Sequence, residues 1–242
     1  MREGLYFESC GRTSLSLSRR GSFSIRAESG YTAFDGMAED GAEYVTLTEY
    51  DTGTPGGLAS ALSREFGRFL DRVLAGVPRS VLVAGIGNGR VGADSLGPLA
   101  AERIAVGESA KGVRVFSFIP GVPEATGIQT EKLVPAVARL VGADLLVAVD
   151  SLAALSPARL CRAVQISGGA RPGSAVAGNA DAIREAAAGC PVVTVGVPTA
   201  VRGRLSRGED GAEGLFTTCG IGAEVVLHAD ALAEAINSRF GS

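Results

Sequence analysis

Unbroken apolar runs alternating with amphipathic helical patterns constrain this chain more than any other feature. Val81 to Ile86 and Leu145 to Val149 contain no polar side chain, and strands of that composition need cover on both faces. Between such runs the spacing predicts helices. Leu58, Leu62, Phe66, Phe69, Leu70, Val73 and Leu74 recur at intervals of three and four, with Arg64, Glu65, Arg68 and Asp71 on the opposite face. The order continues as strand 80–86, helix 95–106, strand 113–118, helix 130–141 and strand 144–150. It then runs through strands at 162–167 and 192–197 and helices at 180–188 and 223–238. That alternation predicts an α/β protein: a mostly parallel, twisted sheet flanked by helices on both faces, a three-layer sandwich.

Upstream of this pattern, Ser22 to Arg26 and Tyr44 to Thr48 alternate with period two, as half-exposed strands do. The glycine- and acid-rich stretch from Glu28 to Glu43 between them is expected to be loop, as is Arg202 to Glu213. Residues 1–20 are polar and rich in Ser and Arg, which predicts a mobile arm or an edge strand; residues 21–242 are expected to form one domain.

Composition narrows the function classes. A hydrophobic share of 46% with 20% charged residues is globular, not disordered. A net charge of −3 offers no electrostatic footprint for nucleic acid. No apolar run approaches the ~20 residues of a membrane span, and the first residues lack the apolar core of a signal peptide. Cys10, Cys161, Cys190 and Cys219 show no C-x-x-C spacing, so reduced thiols in a cytoplasmic protein are expected. With one histidine, His228, and dispersed cysteines, no closed metal site is expected. Gly85-Ile86-Gly87-Asn88-Gly89 follows a strand, but Arg90 stands where a dinucleotide fingerprint needs its third glycine. His228 lies in an ordinary helical setting, which argues against a triad with Ser151 or Cys219.

Two aspartates stand out. The loop after the first apolar run ends in Asp94, and the second run ends directly on Asp150. In an open α/β sheet, ligands bind outside the carboxyl ends of the parallel strands, and two carboxylates there suit acid and base work on a water. Each also has a structural explanation. Asp94 suits the cap of the following helix, and Asp150 suits a buried tie to the next loop through Ser151. Loops that follow strands wall such sites. This marks Asn88, Pro120, Gly121, Thr126, Gly127, Ser151, Pro172, Gly173, Ser174, Pro198 and Thr199 as candidate substrate-binding residues, although each segment alone also reads as a turn.

The blocks GIGNGRVGADSLGP, PGVPEATGIQT, LLVAVDSLAA, QISGGARPGSAV and VGVPTAV occur in an order that resembles the spore germination proteases, across Val81 to Arg202. The resemblance implies a fold related to the hydrogenase maturation proteases, of the hydrogenase-maturation-protease/phosphorylase-like type. It also implies an atypical aspartic endopeptidase that needs no cofactor and uses Asp94 and Asp150 as its catalytic pair. Its substrates would be the small acid-soluble proteins of spores, degraded at germination, with the protein in the spore core as a tetramer. A zymogen cut would fall between Arg12 and Thr13. The chain departs from the family pattern at Ser14, Gln129, Arg202 and Cys219. Two other readings are a nickel-dependent hydrogenase maturation protease and a relative that binds spore proteins without cutting them.

Overall fold

The computed structural model describes residues 21–38, 42–50, 56–168, 183, 185–205 and 212–241. The candidate residues Pro172, Gly173 and Ser174, and the arm at 1–20, lie outside them. In chain order the elements are β1 (Gly21–Glu28), β2 (Tyr31–Ala38), β3 (Glu43–Thr48), α1 (Gly57–Val73), β4 (Ser80–Gly85) and α2 (Leu96–Glu102). Then come β5 (Gly107–Glu108), β6 (Arg114–Phe118), α3 (Pro123–Thr126), α4 (Thr130–Val141), β7 (Leu145–Ala154) and β8 (Ala163–Gly168). The last are α5 (Glu185–Ala188), β9 (Val192–Leu205), β10 (Ala212–Phe216) and α6 (Ile221–Phe240). One sheet joins the strands in the order β1-β2-β3-β8-β9-β7-β4-β6-β5, with β10 on β9.

The four strands β6-β4-β7-β9 pair in parallel. Their side chains sort by parity. Val81 and Val83, Leu145, Val147 and Val149, and Val193, Val195 and Val197 enter one core with α1, α2 and α6. Leu82 and Ala84, Leu146 and Ala148, and Val192 enter a second core with α4 and the end of α5. Both faces of the strands are therefore dry, which is why their sequences lack alternation. The three-layer α/β arrangement agrees with the strand–helix order. Around the parallel centre the sheet is mixed, since β1, β2, β3, β8, β10 and β5 all join antiparallel.

Three local expectations need correction. The stretch Glu28 to Glu43 contains a full strand, β2, paired to β1 through the two-residue turn Ser29-Gly30. Its acids do not face water alone. Arg26 donates to Asp35 at 2.6 Å and to Glu65 at 2.5 Å, and Arg72 donates to Asp35 at 2.9 Å. Glu65 on α1 is 1% exposed and also accepts from Tyr31 and Arg68. Burial works to raise its carboxyl, but the hydrogen bonds from Arg26 and Tyr31 outweigh it and hold Glu65 below the ordinary glutamate range. Ion pairing thus lets an acidic segment enter a sheet.

The stretch Arg202 to Glu213 is likewise not all loop, because β9 continues to Leu205 and β10 folds back on it from Ala212. The third correction concerns Tyr44 to Thr48, which alternates but is not half-exposed. Its apolar side joins the first core, while Tyr44, Thr46 and Thr48 on the other side are also buried.

Candidate active site

The loop after β4 is fastened to the neighbouring strand before it reaches Asp94. Ile86 N–H donates to Val149 O at 2.8 Å, so the loop continues the ladder as far as the residue before Asp150. Helix α2 then closes on the same spot. A Cβ at Gly97 would lie well inside contact distance of the Ile86 backbone and of Val149 O, so only glycine allows α2 to approach this closely. The loop, β7 and α2 are thereby locked together. Asp94 follows the end of β4, but Asp150 does not end its strand as the apolar run suggested: pairing with β9 carries β7 on to Ala154, and Asp150 is the first residue past the pairing with β4.

Asp94 does not cap α2. The residue ahead of that helix is Ser95, which makes no side-chain cap and donates instead to Gly92 O at 3.0 Å. Asp94 belongs to a single 3-10 turn, Gly92–Asp94, and its Oδ2 accepts Asn88 N–H at 2.8 Å. Asn88 Oδ1 in turn accepts Arg90 N–H at 3.0 Å, so Asn88 builds the loop that holds Asp94. Burial pushes the half-buried Asp94 carboxyl above its ordinary range, the Asn88 N–H opposes this, and the negative charge of Glu124 adds to it.

Asp150 has a different setting. It is 2% exposed, and its Oδ1 accepts the N–H of Ser151 at 2.8 Å; Ser151 is the next residue of β7, so this contact is internal to the strand and not the expected tie to a loop. Ser151 Oγ is buried with no hydrogen-bond partner among the described residues, which is unusual for a hydroxyl inside a fold.

Pro198 and Thr199 do not form a turn. They sit within β9 at an irregularity, where Leu152 pairs with Pro198 and Ala153 with Ala200. A proline that donates no ladder hydrogen bond fits such a bulge, and the extra residue is re-aimed. Thr199, buried, donates to Ala93 O at 2.5 Å and so links β9 to the Asp94 turn. The segment after β6 is a compact cap. Pro120 is buried, Gly121 and Gly127 take left-handed φ of 73° and 69°, and Thr126 Oγ1 donates to Val122 O at 3.1 Å. Within this segment, Glu124 sets negative charge near Asp94. Glu124 was legible only as an acid within a Pro-Gly-rich loop.

Two further groups emerge from the structure alone. A small recess beside Asp150 is lined by Leu152, Gln165, Ser167, Thr194 and Gly196. Away from it, His228 is 0% exposed and paired with Tyr50. His228 Nδ1–H donates to Glu224 O at 2.6 Å, which leaves Nε2 to accept from Tyr50 OH at 3.0 Å. Both ring nitrogens are thus engaged, and neither Ser151 nor Cys219 is their partner. Cys161 nearby is pushed up to about 11 by burial, so it is a thiol at neutral pH.

Burial lowers the His228 pKa, while the Glu224 contacts work weakly against it and Arg162 with it. The unfolded chain then binds more protons than the folded one below the ordinary histidine pKa of ~6.5. Stability is expected to be full above that pH and to fall by at most ~1.4 kcal/mol per pH unit below it. Thermal unfolding at pH 7.5 and pH 5.5 checks this. The wild-type loss should be larger than that of His228→Gln, and equal losses would place the acid sensitivity elsewhere.

The sequence model of the germination protease family matches residues 40–209. The chain belongs to that family. The germination protease of Bacillus cereus is 34% identical over 185 residues, covering 70% of this chain and 50% of the relative. That of Bacillus subtilis is 32% identical over 166 residues, covering 64% and 45%. This family member therefore spans about half the length of the curated relatives it matches. The crystal structure of a [NiFe] hydrogenase maturation protease, HycI, from Thermococcus kodakarensis KOD1 overlaps 70% of this chain and 99% of its own at 24% identity. Its TM-score is 0.41, too partial an overlap to bear on the site. The family match takes in all of β4, α2, β7 and β9, the elements around Asp94, Asp150 and Thr199.

Proposed function

We propose that this germination protease family member is an endopeptidase that degrades small acid-soluble spore proteins, with Asp94 and Asp150 as its catalytic carboxyls. The observation that carries the reading is that the Asp94 loop follows the end of β4 while Asp150 lies where β7 outruns β4, on the carboxyl side of the parallel strands, where ligands of such sheets bind. Asp150, whose Oδ1 accepts Ser151 N–H, takes a proton from water. The water oxygen attacks the carbonyl carbon of the scissile peptide. As the C–N bond breaks, the amine nitrogen takes the proton of Asp94, whose raised pKa suits the acid role. Proton exchange with solvent then restores an ionised Asp150 and a protonated Asp94. By the same resemblance we propose a tetramer in the spore core, made active by loss of residues 1–12.

The test is cleavage of a purified small acid-soluble spore protein, followed by mass spectrometry, with the 242-residue chain, a Thr13-start truncation and Asp150→Asn. Discrete cuts lost in the variant support the reading. Intact substrate with both aspartate-containing forms refutes it and leaves a binding protein.

The pH profile of cleavage adds a second check. Glu124→Gln removes a negative charge that raises Asp94, so the acid form of Asp94 should be lost at lower pH. The alkaline limb of kcat is expected to move toward acid; an unmoved limb would separate Glu124 from the proton donor.

A further inference from the structure

We propose that Gln165, with Gly196 beside it, forms the seat in which the attacking water is held against Asp150, and that Gln165 is the residue that positions this water. The inference rests on the peptidase reading above and assigns it a residue that the sequence did not single out.

A cross-strand row carries the argument. Thr46 on β3 pairs with Gln165 on β8, Gln165 pairs with Gly196 on β9, and Gly196 pairs with Asp150 on β7. Directly paired residues share a face of the sheet, so these four stand side by side on one face. Neighbouring strands lie about 4.8 Å apart, which sets the Gln165 and Asp150 backbones roughly 10 Å from each other. The residue between them has no side chain. Leu152 leans over Gly196 in its place, and beside it Asp150, Gln165, Ser167 and Thr194 line a recess of about 10 Å³, close to what a single water requires.

The walls of that recess are specific. Leu152 packs so closely on Gly196 that a Cβ there would meet its side-chain carbons at 2.6 to 2.8 Å, and it bounds the recess on that side. The Ser167 and Thr194 hydroxyls, paired at 2.5 Å, stand on the other side. Gln165 and Asp150 both line the recess, and both are more than nine-tenths buried. Next in the row, Thr46 Oγ1 is wholly buried and has no hydrogen-bond partner among the described residues. A run of buried polar groups ending in an unsatisfied hydroxyl is the setting in which proteins keep an ordered water. A water that gives one proton to Asp150 and the other to the Gln165 amide oxygen turns a lone pair away from both, toward an incoming carbonyl carbon. Holding that orientation before the reaction is the contribution of a positioning residue.

The experiment is steady-state cleavage of a small acid-soluble spore protein by the full 242-residue chain. It compares wild type with Gln165→Met, Gln165→Glu, Gly196→Ala and Asp150→Asn, with thermal unfolding of each. Gln165→Met removes the amide at similar volume, so kcat is expected to fall about 100-fold with KM within twofold. Gly196→Ala displaces the Leu152 side chain that covers it toward the recess and should lower kcat in the same way. Gln165→Glu sets a second carboxylate across from Asp150 and raises the pKa of the base, so the acid limb of the kcat profile should move up by about one pH unit; a merely structural glutamine would not produce that movement. Retention of kcat within twofold in Gln165→Met, or a loss that appears only in KM, overturns the proposal. So does an unmoved acid limb in Gln165→Glu. If Gln165→Met shows no folding transition, the kcat of Gly196→Ala and the limb of Gln165→Glu decide. Failure of the underlying reading looks different: wild type does not cut, or Asp150→Asn still cuts.

Discussion

Replacement of Asp150 by asparagine is expected to lower kcat for peptide cleavage by about 10³-fold or more, within the range of a lost general base, with folding retained. The physical basis is that the substitution keeps the shape and removes only the charge. Asp150 is buried within β7, and its Oδ1 accepts Ser151 N–H. The amide oxygen of asparagine can accept the same hydrogen bond, so that contact survives. What disappears is the ability to take a proton from water. Asp94→Asn should also keep its contact to Asn88 N–H while losing the proton donor, and the double variant should be little worse than either single one, since the two groups act as a unit. Mass spectrometry of the digestion products and a thermal melt of each variant check both halves. Cleavage at more than a tenth of the wild-type rate in Asp150→Asn would remove Asp150 from the chemistry.

The second large effect lies outside the reacting groups. Gly97→Ala adds a single methyl, yet that methyl would overlap the backbone of Ile86 and the carbonyl of Val149. Neither neighbour is a flexible side chain that could turn aside. Both belong to the ladder that fastens the Asp94 loop to β7 through Ile86 N–H and Val149 O. Helix α2 must therefore lift, or the ladder must open. Overpacking of this kind costs about 1–3 kcal/mol and occasionally more, and against backbone the upper end is expected. A lifted α2 also carries the 3-10 turn of Asp94 away from β7, so activity should fall by about 100-fold even where the variant folds, as small misplacements of reacting groups do. Chemical denaturation and cleavage rates on the same sample test this. A variant with unchanged midpoint and rate would show that the close approach of α2 is not what sets the site.

These two sites differ in how they could be read before the structure was known. Asp94 and Asp150 were visible because each follows an apolar run, and runs of that kind become buried parallel strands for a simple reason: Val81 to Ile86 and Leu145 to Val149 have no face that prefers water. The helices at 57–73 and 130–141 were legible for the complementary reason, a 3.6-residue apolar stripe. Local pattern failed where partners far away in sequence changed the cost of burial. Strand β2 looked like loop because its acids counted as solvated groups, whereas Arg26, Arg68 and Arg72 neutralise that cluster. The bulge at Pro198 and Thr199 looked like a turn because proline interrupts a ladder, whereas β7 accommodates the extra residue.

By itself, then, the sequence determined the alternating strand–helix order, the parallel character of the buried strands and the two aspartates that follow apolar runs, because hydrophobic periodicity and chain order act locally; the spatial order β6-β4-β7-β9 and the extension of β7 past Asp150 came from pairing with distant strands. Tertiary structure alone decided what surrounds each carboxylate. It brought Glu124 to Asp94, and it placed Gln165 across Gly196 from Asp150. Those neighbours come from strands and loops separated by 15 to 46 residues, and only the register of a closed sheet brings such residues side by side.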